Sequence, residues 1–287
     1  MPSDSLFKVH KYKTISSDNS MKYNVHFLVL LVLCSLFLAS CKDKPGGGGL
    51  NFFSLEDDKQ FGAQVAAEIE NDPGTYDILD SAQHVEAYAY LYAIRDSILN
   101  SGKVVHKDNF EWQLRLIKDD STLNAFCTPG GYIYVYTGLI KYVDSEDQFA
   151  GVMGHEIAHA DERHSTAALT QQYGIDVLLS ILLGDNKGTL AQIAQGLVGL
   201  KYSRANESES DMRSVEYLYP TAYDARGAAR FFEKIQESGG SSGPEFLSTH
   251  PDPENRVAAI IAHWESLGGK PGKTFNARYA AFQNSLP

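Results

Sequence analysis

Residues 148–159 read QFAGVMGHEIAH, an apolar stretch that carries two histidines and a glutamate. His155 and His159 are four positions apart, so on an α-helix both imidazole rings project from one face and can bind the same metal ion. Glu156 lies about 100° around that helix, where its carboxylate can accept a proton from a water on the metal. The apolar flanks predict a buried helix, and burying three polar side chains without partners is costly. The stretch therefore predicts a metal-binding helix rather than a solvent-facing helix with stray histidines.

Two histidines leave a zinc site incomplete, because a catalytic zinc ion takes three protein ligands and a water. The metzincin arrangement would place a histidine six positions after His159, but that position is Ser165 and the nearest histidine is His164. Further along the chain, Glu207 and Asp211 are four positions apart in a helical pattern and share one face. Glu207 can supply the third ligand of one zinc ion per chain, and Asp211 can hydrogen-bond a ligand imidazole from behind. The alternative interpretation of this segment is an acidic, solvated helix face.

The segments around the metal-binding helix alternate between helical and strand periodicity. Residues 54–71 begin with a serine cap and place apolar residues on one helical face, and residues 76–99 continue the helical pattern. Three short alternating segments then predict a small antiparallel sheet, and from Thr137 the pattern is helical almost to the end. The order predicts one α+β, mainly α-helical domain over residues 54–287. The predicted strands lie near residues 112–116, 123–127 and 132–136.

The first 53 residues predict export and anchoring. Residues 27–39 form an uncharged apolar run shorter than the roughly 20 residues that span a bilayer, which is typical of a signal peptide. The run ends in Leu-Ala-Ser-Cys41, which resembles the bacterial lipoprotein box and implies cleavage before Cys41 and its lipidation. We therefore expect a signal peptide over residues 1–40, with translation starting at Met1 or Met21, and a glycine-rich tether over 41–53. The alternatives are an ordinary cleaved signal with a chance cysteine, or a buried strand.

The net charge and the cysteine content of the chain indicate that nucleic acid is not a partner and that the domain has no disulfide. The chain has 287 residues, 43% of them hydrophobic, and 25 basic against 36 acidic residues give a net charge of −11. A nucleic-acid-binding protein needs a basic face, so nucleic acid is not an expected partner. Of the three cysteines, Cys34 leaves with the signal and Cys41 carries the lipid. Cys127 then has no disulfide partner and is predicted to be a small buried hydrophobe.

Four segments, in order and spacing across residues 55–267, resemble the zinc metallopeptidases related to the CAAX prenyl protease, HtpX, Oma and BepA. The resemblance implies a zincin-like domain in which His155, His159 and Glu207 bind zinc, Glu156 is the general base and Asp211 supports a ligand. It also includes Arg256 in a C-terminal signature. The matching segments are 124–126 with 129–139, 155–164, 202–211 and 248–256.

Two further parts of the site are predicted beside the ligands. His250 stands between a Gly/Ser-rich stretch and two prolines, and it is interpreted as a surface residue, as a stabiliser of the transition state or as a plug on the open zinc position. We expect the plug, with Arg256 anchoring its loop. Substrate is expected to add as a strand along residues 123–127, at Asn124, Ala125 and Phe126.

These observations predict a zinc endopeptidase that hydrolyses envelope proteins, including misfolded ones, from a lipid anchor facing the periplasm or the cell exterior, with the outer membrane favoured. The rival prediction is a zinc-dependent binding or chaperone module that holds unfolded chain without cutting it. Glu156 favours the enzyme, because a binding module needs no base beside the metal. The apolar residues 177–183 and 190–200 are predicted to form either a core hairpin or a mobile lid.

Overall fold

The computed structural model describes residues 51–238, 245–251 and 255–287. The predicted signal peptide, Cys41 and the glycines at 46–49 lie outside these ranges, and their interpretation stays a prediction. The described residues are mainly helical with one small sheet, which confirms the α+β class. None of the helices within these ranges is long and apolar enough to cross a bilayer.

The first two helices pack on the sheet from the amino-terminal side. Helix α1 (Leu55–Glu70) begins at a capping box in which the Ser54 side chain accepts a hydrogen bond from the backbone of Asp57. Helix α2 (Val85–Leu99) is shorter than the predicted 76–99. The residues before it are held instead by the sheet, where the Leu79 backbone N–H donates to the Leu116 carbonyl at 2.9 Å. Pairing with a strand therefore overrides the helical pattern there.

The sheet has three strands in the order β1-β3-β2, with β1 at Gln113–Ile117, β2 at Ala125–Thr128 and β3 at Tyr132–Tyr136. Strands β2 and β3 form an antiparallel hairpin, and its turn uses Gly130 and Gly131 at φ of 77° and 86°. The predicted all-antiparallel sheet is wrong in one pair, because β1 and β3 run parallel. The chain reverses direction between β1 and β2 and again in the hairpin between β2 and β3, so β1 and β3 run in the same direction where they pair.

The rest of the domain is helical. Its central element is the helix Glu146–Asp161, named α4 below, in which every residue is buried. The remaining elements, in chain order, are α3 (Thr137–Tyr142), α4 (Glu146–Asp161), α5 (His164–Tyr173), α6 (Ile175–Leu182), α7 (Lys187–Gly196), a 3-10 turn (Leu197–Gly199), α8 (Arg204–Leu218), α9 (Gly227–Glu237), α10 (Glu245–Thr249), α11 (Arg256–Ser266) and α12 (Asn276–Gln283).

Glycines let two helices approach α4 closely. A Cβ atom on Gly151 would lie 2.2 Å from the backbone nitrogen of Ala228 in α9, and one on Gly154 would lie 2.8 Å from Ser214 Oγ in α8. The Ser214 hydroxyl also donates to the Gly151 carbonyl at 2.7 Å. Backbone contact of this kind fixes α8 against α4, and these two helices carry the predicted ligands.

Helices α6 and α7 form the apolar hairpin predicted from the sequence. Its inner face is core, since Leu178, Ile181 and Ile193 are buried in one cluster with residues of α1. Its outer face exposes Leu179 and Leu183, the latter at 78% of its surface. The burial supports the core-hairpin interpretation for the inner face, and Leu179 and Leu183 are the large apolar side chains that the described hairpin exposes.

Candidate metal centre

The two histidines of α4 face each other across a buried centre. Nε2 of His155 and Nε2 of His159 are 3.0 Å apart, and each lies 3.3 Å from a different oxygen of Glu207. All three side chains are buried. Ligand atoms of these residues and of His250 lie within 4.8 Å of one another. Four metal-binding atoms that converge at this spacing can hold one metal ion.

Helix α8 delivers the carboxylates, because its capping box between Ser203 and Asn206 starts the helix one turn before Glu207. Asp211 follows one turn later and accepts a hydrogen bond from Nδ1 of His155 at 2.9 Å. Because its Nδ1–H is held by Asp211, the His155 ring is oriented with its Nε2 toward the centre, where this nitrogen can bind a metal ion once it has lost its proton. Helix α8 thus places the carboxylate of Glu207 among the ligand atoms and the carboxylate of Asp211 behind the ring of His155.

Arg256, the first residue of α11, lies beneath the site. Its guanidinium donates to both oxygens of Asp211, at 2.8 and 3.0 Å, and contacts Glu207 at 3.4 Å. These bonds show that Arg256 holds the two carboxylates, and its role as an anchor for the His250 loop stays a prediction. A fully buried guanidinium needs anionic partners, and Asp211 is the closest one.

His250 follows the short helix α10, and its ring enters the centre. Its Nδ1 lies 3.1 Å from Glu207 Oε1 and 3.3 Å from His155 Nε2, while its Nε2 lies 3.5 Å from Glu156 Oε1. The ring is buried and stacks on Phe246 with centroids 4.2 Å apart. His250 is therefore placed where it can act as a fourth ligand.

Glu156 is the buried acid of the site that is left without a hydrogen bond. Neither carboxylate oxygen has a hydrogen-bond partner among the described residues, although the side chain is completely buried. Burial raises the pKa of this carboxyl group, and the nearby His250 and His155 oppose that shift. Such an orphaned acceptor next to converging ligand atoms fits a centre that holds a metal ion and a water.

The ligand groups themselves are strongly coupled. Burial alone would lower the pKa of His155, but hydrogen bonds to Asp211 and Glu207 outweigh it and raise the pKa to about 9. Burial lowers the pKa of His159 well below its ordinary value. Burial opposes ionisation of Glu207, yet His250 and His155 hold the pKa of that carboxyl below its usual range. The set thus contains an ionised carboxylate and a neutral imidazole, which is the form in which each binds a metal.

Strand β2 is an edge of the sheet beside the centre. Its register pairs Phe126 with Tyr134 of β3, so the Phe126 N–H faces into the sheet and cannot dock a substrate. The outward backbone groups belong to Ala125 and Cys127. The Ala125 N–H donates to the Asn124 side chain, and the Cys127 carbonyl accepts from a serine hydroxyl. Phe126→Pro would remove this inward N–H and disrupt the sheet, so that variant cannot report on docking.

Sequence reasoning missed two rings that touch the ligands. Tyr202 stacks on His159 with centroids 3.9 Å apart, and His164 places its Nδ1 3.2 Å from Nδ1 of the same ring. His164 follows α4 after a left-handed residue, Arg163 at φ 61°, which turns the chain back toward the site. In the sequence, His164 is visible as a third histidine, nine positions after His155.

Comparison with known proteins places this arrangement in a family. The model of peptidase family M48 matches residues 89–263, more than half of the chain. The mitochondrial metalloendopeptidase OMA1 of Arabidopsis thaliana is 33% identical over 152 residues, which are 53% of this chain and 31% of that protein. The beta-barrel assembly-enhancing protease of Escherichia coli is 34% identical over 160 residues, 50% of this chain and 32% of that protein.

The mitochondrial metalloendopeptidase OMA1 of Schizosaccharomyces pombe is 32% identical over 158 residues and is matched over 46% of its length. The chain thus spans about a third to a half of the length of these relatives. The family match over residues 89–263 contains the buried histidines and carboxylates described above. The chain belongs to peptidase family M48, and its described domain is that of a zinc-dependent metalloprotease.

Proposed function

We propose that this protein is an endopeptidase of the cell envelope, in which Glu156 is the general base and protein chains, including misfolded ones, are the substrates. The observation that carries the proposal is the buried carboxylate of Glu156, which has no hydrogen bond among the described residues and lies beside four converging ligand atoms. A binding module would gain nothing from such a group, and its burial costs free energy.

Three residues would hold the zinc ion: His155, His159 and Glu207. When bound, zinc polarises the scissile carbonyl and acidifies a water. Glu156 accepts a proton from the attacking water as the new C–O bond forms, and it returns that proton to the amide nitrogen as the C–N bond breaks. The raised pKa of Glu156 suits this exchange, because the group both takes and gives a proton.

Cleavage of an unfolded protein distinguishes the enzyme from the rival chaperone module. We expect the purified protein to generate new amino termini from an unfolded substrate, and a metal chelator to stop their formation. Mass spectrometry of the products measures this directly. Stable binding of the unfolded chain without new termini, in the presence of zinc, would favour the chaperone.

Location in the envelope rests on the sequence before the described residues. We infer that Cys41 carries lipid and anchors the domain, since it follows Leu-Ala-Ser at the end of an apolar run. Cys41→Ser should move the protein from the membrane fraction to the soluble fraction, whereas Cys127→Ser, in the buried core, should stay with the membrane. An unchanged distribution of Cys41→Ser would contradict lipid anchoring.

We propose further that His250 restrains the resting enzyme by occupying the position where water must bind. Its Nδ1 lies about as close to the centre as the ligands themselves. Helix α10 also donates the Phe246 N–H to the Leu123 carbonyl just before β2, at the edge expected to receive substrate. Activity would thus require α10 and His250 to move away together.

Removal of the His250 ring should therefore raise activity. If the open form makes up a tenth of the resting molecules, His250→Ala should raise kcat/KM about tenfold, and zinc should become easier to extract by a chelator. The matched control is His263→Ala, a histidine on α11 outside the centre. A lower kcat with zinc still bound would assign His250 to the transition state, and no change in either quantity would contradict both roles.

A further inference from the structure

The two nitrogens of the His159 ring face different surroundings. Nε2 lies inside the metal centre, 3.0 Å from His155 Nε2 and 3.3 Å from Glu207 Oε1. Nδ1 points the other way and lies 3.2 Å from Nδ1 of His164. A ring nitrogen that binds a metal carries no proton, so the proton of His159 resides on Nδ1 and is donated to His164.

His164 has its own tautomer fixed by the same contact. Because its Nδ1 accepts from His159, its proton lies on Nε2, which is 3.2 Å from Oε2 of Glu209. Ser210 Oγ, 3.3 Å from the same Nδ1, flanks the acceptor. The His164 ring is buried, whereas the Glu209 side chain is 18% exposed. A hydrogen-bonded chain thus runs from the surface at Glu209 through His164 to His159.

We propose that His164 and Glu209 are positioning residues for the metal, acting through His159. They fix the tautomer and the orientation of that ring, so that its Nε2 is presented to the ion. This support of His159 belongs to the metal site alone and is independent of the substrate and the location proposed above.

The two histidine ligands are then supported in different ways. His155 is backed directly by the carboxylate of Asp211, which Arg256 holds from behind. His159 is backed by the imidazole of His164, and the carboxylate of Glu209 lies one ring farther from the ion. A direct carboxylate raises ligand basicity and reduces the effective charge of the ion. An interposed imidazole gives the same orientation with less added negative charge, which preserves the ability of the ion to acidify water.

Zinc affinity of full-length variants tests the proposal without reference to cleavage. His164→Phe keeps a flat ring but leaves the buried Nδ1–H of His159 without an acceptor. We expect its zinc dissociation constant, measured by competition with a chelator, to rise roughly 10- to 100-fold. His164→Asn places an amide oxygen near the former Nδ1 position and should recover most of that loss.

Glu209, at the outer end of this series of hydrogen bonds, offers a second site for substitution. Its side chain is partly exposed, so a substitution there should not disrupt folding. Glu209→Ala should weaken zinc binding by about tenfold, the low end of the effect of an outer hydrogen-bond partner. Glu209→Gln, which retains an acceptor oxygen, should stay close to the wild type. This pair keeps the test decisive if His164→Phe does not fold.

A matched control is a second histidine–glutamate pair, between α11 and α8. Glu216 of α8 contacts Nε2 of His263 at 3.2 Å, the same distance as in the Glu209–His164 pair, but away from the metal centre. His263→Phe should leave the zinc dissociation constant unchanged. In nitrogen-15 NMR of the zinc-loaded wild type, His159 should show a protected Nδ1–H proton, which His164→Phe should expose to exchange.

Two results would overturn the proposal. One is zinc binding by folded His164→Phe, or by Glu209→Ala, within twofold of the wild type. The other is equal weakening in His164→Asn and His164→Phe, because this would assign the effect to packing of the ring rather than to its acceptor nitrogen.

Discussion

Glu156→Gln should bind zinc as well as the wild type does and yet lose cleavage by at least about 10²- to 10⁴-fold in kcat, the usual contribution of a general base. The amide preserves the shape of the side chain but cannot take a proton from water. Zinc should remain because the three proposed ligands are untouched, and the closest ligand-type contact of Glu156 is His250 at 3.5 Å.

Stability gives the same variant an independent readout. Burial raises the pKa of Glu156 in the folded protein, so ionisation of this carboxyl group disfavours folding. The stability that this carboxyl contributes is present below its unfolded pKa and is lost as the pH rises through its folded pKa. Metal-free Glu156→Gln should therefore melt at or above the wild-type temperature at pH 7. Cleavage at the wild-type rate would contradict the assignment of the base.

Loss of Glu207 should have the second large effect, on zinc itself. Glu207→Ala should weaken zinc binding by more than the roughly 10- to 100-fold that loss of an outer hydrogen-bond partner costs, because it removes a ligand. The structure complicates this simple expectation, since His250 lies within reach and can complete a three-histidine set. The double variant Glu207→Ala, His250→Ala removes that substitute and should lose zinc almost completely.

Equilibrium dialysis followed by metal analysis measures both variants. Glu216→Ala, a glutamate on the outer part of the same helix, is the control for charge and helix propensity. Full zinc occupancy in the double variant would move the third ligand to a residue outside this set.

The ligand helix was predictable because its signal is local. His155, Glu156 and His159 are set by the helical period alone, and an apolar surrounding with buried polar residues marks the helix as functional. Glu207 and Asp211 followed from the same spacing on a second helix. Such pairs need no knowledge of how the chain folds back on itself.

The remaining parts depend on long-range contact and have no periodic signal. The pairing is parallel because β1 pairs with β3, two chain reversals later, and not with β2, the next strand in sequence. Residues 76–84 leave the helical pattern because Leu79 pairs with Leu116. The role of Arg256 is decided by α11 crossing beneath α8, where it meets Asp211. The sequence around Arg256 does not indicate which carboxylate this arginine contacts.

Titration of the metal-free protein with zinc tests most directly that one ion at this centre drives hydrolysis. The rate at which an unfolded substrate is cleaved should rise linearly with added zinc and reach its maximum at one equivalent per chain. Glu156→Gln should also bind one equivalent of zinc but should not cleave the substrate. Cleavage by the metal-free protein, or saturation only at a second equivalent, would contradict the account.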